Sequence, residues 1–224
     1  MSDTMTAVVN HGPEDYRLET VPRPHAGPGE VIIKVDAAGI CGSDGKCYTG
    51  GAMFWGDDPW VKAPVVPGHE FFGTVVELGE GAAEAHGLQV GDKAIAEQIV
   101  PCGECRYCAR GEYWMCEVHD IYGFQKDVAD GAWAEYMRFH ANARVHKVPG
   151  DMPPEAGVLI EPLACAIHAV ERGEIQLGDT VVLAGAGTLG LLMLHVIKLK
   201  SPGRIVVTDA KAERLEIARR MGAD

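Results

Sequence analysis

The chain has 224 residues, 47% hydrophobic and 23% charged, with 32 acidic against 20 basic side chains and a formal charge of −12. That composition suits a globular protein large enough for one big core or two modest ones. It argues against a phosphate-backbone binder, which needs a positive face, so no nucleic-acid partner is expected.

The first ten residues carry neither a basic region nor an apolar run, so no targeting segment is expected. Seven cysteines without such a segment point to the reducing cytoplasm, where clustered thiols bind metal or act in catalysis. Residues 1 to about 150 read as β-rich. Val31–Val35 alternates at period two and Gly73–Leu78 does so more loosely, with glycine turns such as Val90-Gly-Asp-Lys93 between strands.

Two short segments in this half carry potential ligands for a metal with an open position: Gly39-Ile-Cys41-Gly-Ser-Asp44 and Pro67-Gly-His69-Glu70-Phe-Phe-Gly73. Neighbours in a strand face opposite ways, so His69 and Glu70 reach one ion only if Pro67-Gly68 bends the backbone. Taken singly, a histidine reads better as an ordinary polar residue and Cys41 as a small apolar one.

Cys102, Cys105, Cys108 and Cys116 follow at C-x2-C-x2-C-x7-C spacing, which lets four thiolates converge on one ion. Zinc suits such a shell and, with no open position, would build structure there. An iron–sulfur cluster would want its fourth cysteine sooner and followed by proline, and a disulfide knot would want a secretory signal.

Pro149-Gly-Asp-Met-Pro-Pro154 breaks the pattern and predicts a domain joint, giving domains at 1–150, with a zinc lobe at about 97–120, and 151–224. Glu155 to Arg172 has helical spacing that Pro162 should end or kink at Glu161. Then come a strand at Thr180–Ala184, a helix at Leu189–Lys200, a strand at Arg204–Asp209 and a helix at Ala212–Met221. The order βαβα predicts parallel strands with right-handed crossovers. The apolar stretch Val181–Ile197 holds three glycines, Thr188 and His195 and is too short for a bilayer, so no membrane partner is expected.

Between the first of those strands and its helix lies Gly185-Ala-Gly187-Thr188-Leu189-Gly190. Its first glycine suits a tight turn, its second the approach of a pyrophosphate, its third close packing of helix on strand. The helix N-terminus adds free N–H groups and partial positive charge. Asp209, nineteen residues beyond Gly190, is placed to accept ribose hydroxyls and repel a 2′-phosphate, so NAD is preferred over NADP. The alternative is that the glycines only pack a strand on a helix while Asp209 caps a turn. Two of the usual six strands are present before the chain reaches Asp224, so a fragment of a longer protein, inactive by itself, is expected.

Five motifs occur in one order: Gly39-Ile-Cys41-Gly-Ser-Asp44, Gly68-His-Glu70, the four cysteines, Glu161-Pro-Leu163 and the glycine fingerprint. In this the chain resembles the zinc-dependent medium-chain dehydrogenases, most closely their polyol or sorbitol branch. The resemblance implies an α+β plus α/β two-domain fold, with a GroES-like β-barrel catalytic domain and a truncated Rossmann doubly wound parallel sheet. It implies oxidation of a small polyol or secondary alcohol to the ketone, with two zincs and NAD, through a zinc-held alkoxide that gives hydride to the nicotinamide. It also implies a homodimer or homotetramer.

Carried over by residue, Cys41, His69 and Glu70 resemble catalytic zinc ligands, and Glu161 matches a fourth ligand position. A carboxylate-rich shell of this kind is expected to suit a chelating diol. Ser43 matches the hydroxyl that bonds the substrate alcohol, and Asp44 the carboxylate that orients the zinc-binding histidine. Many relatives have histidine where this chain has Lys46, so the proton is expected to leave through Lys46, through ribose hydroxyls and water, or by no relay of the usual form.

The insert carrying Tyr48, Phe54, Trp55 and Trp60 is expected either to roof the substrate cleft, with Tyr48, Phe54 and Trp55 setting specificity, or to form a surface loop held by its own aromatics or an oligomer contact. Cys165 is expected to be a small core residue, His168 to pack, and His195 to be a hydrogen-bonded core histidine. A threonine- or butanediol-type dehydrogenase is the runner-up among enzymes. A non-catalytic dinucleotide-binding protein with structural or regulatory ends is the alternative outside them.

Overall fold

The computed structural model describes residues 3–125 and 129–224; residues 1–2 and 126–128 of the expected first domain lie outside the described residues. The chain divides into two compact units, Met1–Val158 and Leu159–Asp224.

The first unit opens with the antiparallel hairpin β1 (Thr4–Gly12) and β2 (Asp15–Pro22), followed by β3 (Val31–Ala38), the short helices α1 (Gly42–Tyr48) and α2 (Ala52–Trp55), β4 (Phe71–Leu78), α3 (Ala82–His86) and β5 (Lys93–Ala96). The two-residue strands β6 (Ile99–Val100) and β7 (Asp120–Ile121) flank the cysteine segment, and β8 (Tyr136–Phe139), β9 (Val145–Val148) and α4 (Pro154–Gly157) complete the unit. Its main sheet is antiparallel in the order β8-β3-β4-β5-β9.

Val31, Ile32 and Ile33 are all fully buried, so β3 is covered on both faces and does not show the half-exposed alternation its sequence suggests. Val31 and Ile33 pack with Phe71, Val75, Met137 and Phe139 in the larger core, where each side chain stabilises by about 1.5–3 kcal/mol relative to exposure. The joint between units falls after Val158 and not at residue 150, because α4 packs back on β3 and β4. Gly157 lies so close to the Phe72 ring that an added methyl would stand 2.6 Å from Cε2.

The second unit consists of α5 (Ile160–Arg172), β10 (Thr180–Ala184), α6 (Thr188–Leu199), β11 (Arg204–Thr208) and α7 (Ala212–Arg220). The strands are parallel and in register from Thr180 opposite Arg204 to Ala184 opposite Thr208. Val170, Leu194, Val196, Ile197 and Ile205 form the core between sheet and helices.

Four expectations are corrected here. Pro162 does not end a helix; it sits in the first turn of α5, where its missing N–H has no intrahelical partner to lose. The break falls before it, between α4 and α5. His168 and His195 are exposed and not packing residues, and Cys165 is exposed as well. Their helices bury Ala166, Val170, Leu194, Val196 and Ile197 instead, which leaves these positions on the outward face. Among the described residues, no helix is long and apolar enough to cross a membrane.

Candidate metal and dinucleotide sites

The β3 strand runs out at Ala38 and hands the chain to Gly39-Ile-Cys41, and Cys41 then caps α1 from an extended backbone (φ −84°, ψ 158°). The Asp44 carboxylate reaches back to accept the Cys41 backbone N–H at 2.7 Å, fixing the residue that carries the thiol. On the facing segment Gly68 takes φ +99°, a left-handed conformation that suits glycine. The strand β4 begins only at Phe71, so His69 and Glu70 lie in the bend before it and escape the alternation that would part them.

The ligand atoms of Cys41, His69 and Glu70 consequently all lie within 4.8 Å of one another. Gly39 makes room for this: its N–H donates to the Glu70 carbonyl at 2.8 Å, and a methyl on it would stand 2.9 Å from Glu70 Cβ. His69 Nδ1 lies 3.4 Å from Asp44 Oδ1, and the Phe124 ring tilts over the imidazole at 5.5 Å. A hydrogen bond with His69, aided by Ser43, lowers the Cys41 thiol below its ordinary range, and burial raises the Glu70 carboxyl. One soft thiolate, one imidazole and one carboxylate, backed by a second carboxylate, is a donor set that fits zinc with a position left open.

Ser43 is half-buried on α1, and Lys46 is exposed one turn further along. Glu161 belongs to the second unit, in the first turn of α5, where the Cys165 thiol donates to its Oε1 at 3.7 Å.

Two of the three aromatics expected at the cleft, Phe54 and Trp55, turn inward. Phe54 is 2% exposed, packed with Cys47, Val61, Val65 and Phe124. Its ring stacks on Phe124 at 5.5 Å. Trp55 is partly buried against the same cluster and donates its indole N–H to the Cys47 carbonyl at 2.7 Å. Only Tyr48 of the three is exposed. Phe54 and Trp55 join a cluster that also takes in Phe124 from outside the insert, because large rings gain from mutual burial.

The four cysteines are all free thiols, and their sulfurs lie within 4.8 Å of one another. Cys102 and Cys108 sulfurs are 3.9 Å apart, close to the edge of about 3.8 Å that a tetrahedron with zinc–sulfur bonds of about 2.3 Å requires. Backbone N–H groups of Cys102, Cys105 and Cys108 donate to the sulfurs of Cys116, Cys102 and Cys105 at 3.4, 3.4 and 3.5 Å. Such donors pull Cys105 down to about 6, whereas burial and its neighbouring sulfurs push Cys108 up to about 12. A dication bound among these sulfurs would favour their thiolate forms. The β6–β7 pair closes the loop, and the Tyr113 hydroxyl donates to Glu97 at 3.0 Å while Arg144 stacks on the Tyr113 ring at 3.6 Å.

In the second unit Gly185 adopts φ +100° at the end of β10. A methyl on Gly190 would overlap the Gly185 carbonyl, standing 2.9 Å from its carbon, so α6 approaches the strand as closely as backbone allows. Gly187 caps α6, with Thr188 and Leu189 exposed in its first turn. Asp209 accepts the N–H groups of Ala186 and Lys211, each at 2.8 Å, and these donors lower its carboxyl.

Three residues at these sites escaped the sequence reading. Arg214 places Nη1 3.6 Å from Asp209 Oδ2; a cation five residues beyond the acid was the available signal. Phe124 and Trp133 reach the first site only through tertiary contacts, and nothing local marks them.

Residues 27–150 match the alcohol dehydrogenase GroES-like domain family. The chain belongs to the zinc-dependent medium-chain dehydrogenases. It is 51% identical to an erythritol/L-threitol dehydrogenase of Mycolicibacterium smegmatis over 99% of this chain and 62% of that one. It is 39% identical to a sorbitol dehydrogenase of Bombyx mori over 97% and 60% of the two chains. Among solved structures, an alcohol dehydrogenase of Escherichia coli CFT073 complexed with NADH is similar, with a TM-score of 0.86 and 32% identity over 100% of this chain and 62% of that chain. The chain thus spans about three fifths of the length of these relatives.

Proposed function

We propose that the full protein oxidises a short polyol to the ketone with NAD, using one zinc at Cys41, His69 and Glu70 and a second, structural zinc at Cys102, Cys105, Cys108 and Cys116. The observation that carries this reading is the convergence of Cys41, His69 and Glu70 within 4.8 Å, with Asp44 behind His69. Similarity to erythritol/L-threitol and sorbitol dehydrogenases points to the substrate class.

Zinc supplies Lewis-acid polarisation of a hydroxyl, and the nicotinamide supplies a hydride acceptor. The chain supplies the rest. Asp44 keeps the His69 ring in one orientation while holding Cys41 through its backbone. Ser43, beside Cys41, is the proposed acceptor of the substrate hydroxyl proton, and Lys46, three residues on along the same helix face, stands where that proton leaves for solvent. Glu161, which matches the family's fourth ligand position in sequence, is proposed as a further zinc ligand of the full protein.

Gly187 and the N–H groups of the first turn of α6 offer an open cradle for the pyrophosphate. Asp209, held ionised by Ala186 and Lys211, keeps lone pairs for ribose hydroxyls and disfavours a 2′-phosphate.

The test is NADH formation by the full-length protein on four-, five- and six-carbon polyols, simple secondary alcohols and threonine, with and without a zinc chelator. Chelator-sensitive turnover on one polyol stereoseries is expected. Turnover that ignores the chelator, or none at all from protein with both sites loaded and NAD bound, overturns the proposal.

A further inference from the structure

We propose that Trp133 is the positioning residue of the Cys41, His69 and Glu70 site, a single indole that fixes both donor-bearing segments at once. The inference rests on the reading of that site as a zinc site.

Each donor segment contains a glycine next to its ligands, and glycine leaves a backbone free to move. Gly39 precedes Ile40 and Cys41; Gly68 precedes His69 and Glu70. Trp133 acts on both. Its indole Nε1–H donates to the Gly39 carbonyl at 2.9 Å, and the Gly39 N–H in turn donates to the Glu70 carbonyl at 2.8 Å. The peptide groups around Gly39 are therefore tied on one side to the indole and on the other to the opposite donor segment.

The indole also walls off Gly68. A methyl at that position would overlap the ring, standing 2.7 Å from Nε1 and 3.1 Å from Cγ. The left-handed bend that turns His69 and Glu70 toward Cys41 is thus packed directly against the indole.

The tryptophan is itself anchored. Its own N–H donates to the Pro67 carbonyl at 2.9 Å, its carbonyl accepts the Val8 N–H at 2.8 Å, and the Ala132 N–H donates to the Gly68 carbonyl at 2.9 Å. The Tyr16 ring stands edge-on to it at 6.2 Å. The hairpin therefore anchors Trp133 through its backbone and the Tyr16 ring, and its indole contacts both glycine segments. Zinc–ligand bonds tolerate only about 0.2 Å of misplacement, so freedom at either glycine translates into lost metal affinity.

Two variants in the full-length protein test this. Trp133→Phe keeps a ring and removes the N–H; Trp133→Ala removes both. Zinc affinity at each site is read by chelator competition, and the geometry of the first site by the absorption of the cobalt-substituted protein. The expected result is a loss of about 10-fold at the first site in Trp133→Phe and about 100-fold in Trp133→Ala, the range seen when groups supporting metal ligands are removed. The four-cysteine metal should stay bound in both and serves as the control for folding.

Unchanged affinity and an unchanged cobalt spectrum at the first site overturn the proposal. So does parallel loss of both metals in both variants, which would mark a tryptophan needed only for folding. A wild-type protein that loads metal at the cysteines alone overturns the site reading and this inference together. Two metals without alcohol turnover overturn the activity alone, and the affinity comparison still decides on Trp133.

Discussion

Asp44 Oδ1 lies 3.4 Å from His69 Nδ1, and the two side chains are 2% and 6% exposed. A carboxylate buried this deeply and facing Nδ1 at ion-pair distance would favour a proton on that nitrogen and leave the other for the proposed metal. Asp44→Asn should lower metal affinity at the first site by about 10- to 100-fold and leave the four-cysteine site untouched. The cap on α1 should weaken only slightly, because the asparagine side-chain oxygen can still accept the Cys41 N–H. Chelator competition reads the first effect and urea unfolding the second.

Removing metal from the cysteine lobe should loosen that lobe and spare the sheet. The larger core draws on Val100 and Tyr122 but on no residue between them. Cys105→Ser, or exhaustive chelation, should therefore expose 102–116 to limited proteolysis while far-ultraviolet circular dichroism changes little. Cleavage elsewhere in the first unit would contradict this.

Gly190→Ala should strike the dinucleotide unit. The added methyl meets the Gly185 carbonyl, a backbone group that cannot swing aside, and overpacking of this kind costs about 1–3 kcal/mol. NADH binding, followed by fluorescence, should weaken along with thermal stability. The first unit, followed by its metal content, should be unaffected.

Asp209 gives the pH dependence its sign. Its carboxyl is lowered from 3.8 by the N–H groups of Ala186 and Lys211. A depressed carboxyl stabilises the fold above the unfolded value and loses that contribution as the pH falls through the folded one. The stability gap between wild type and Asp209→Asn should thus be full at neutral pH and shrink below pH 3.8. A gap that widens on acidification would refute the assignment.

Phe54 and Tyr48 separate the two roles considered for the aromatic insert. Phe54→Ala, at 2% exposure, should cost about 3–5 kcal/mol, and Tyr48→Ala, at 42%, should cost well under 1 kcal/mol. If Phe54→Ala instead left unfolding unchanged and altered substrate range, the ring would belong to the cleft after all.

Local pattern alone carried the second unit far. Its two strands and the helices α6 and α7 lie within a residue of where period and glycine punctuation place them, because those signals sit in the local sequence. Pro162 misled because the same residue breaks a helix interior and opens a helix first turn, and only the packing of α4 on β3 and β4 decides which applies. His168 and His195 misled for a related reason: an apolar neighbourhood in sequence says nothing of which helix face a residue occupies once neighbouring elements are in place.

For the sites the division is sharper. The sequence by itself determined which residues have the chemistry of ligands: four cysteines at loop spacing, Cys41, His69-Glu70, and a glycine run followed by an acid. Residue type and short spacing are properties of the chain. Only the tertiary structure decided that Cys41, His69 and Glu70 converge, that Asp44 backs the histidine, and that Phe54 fills a core. Those outcomes rest on a left-handed Gly68, a bare Gly39 and the indole of Trp133 between them. These residues lie far apart in sequence, and they meet because burying the sheet brings them into register, a global event that no local period encodes.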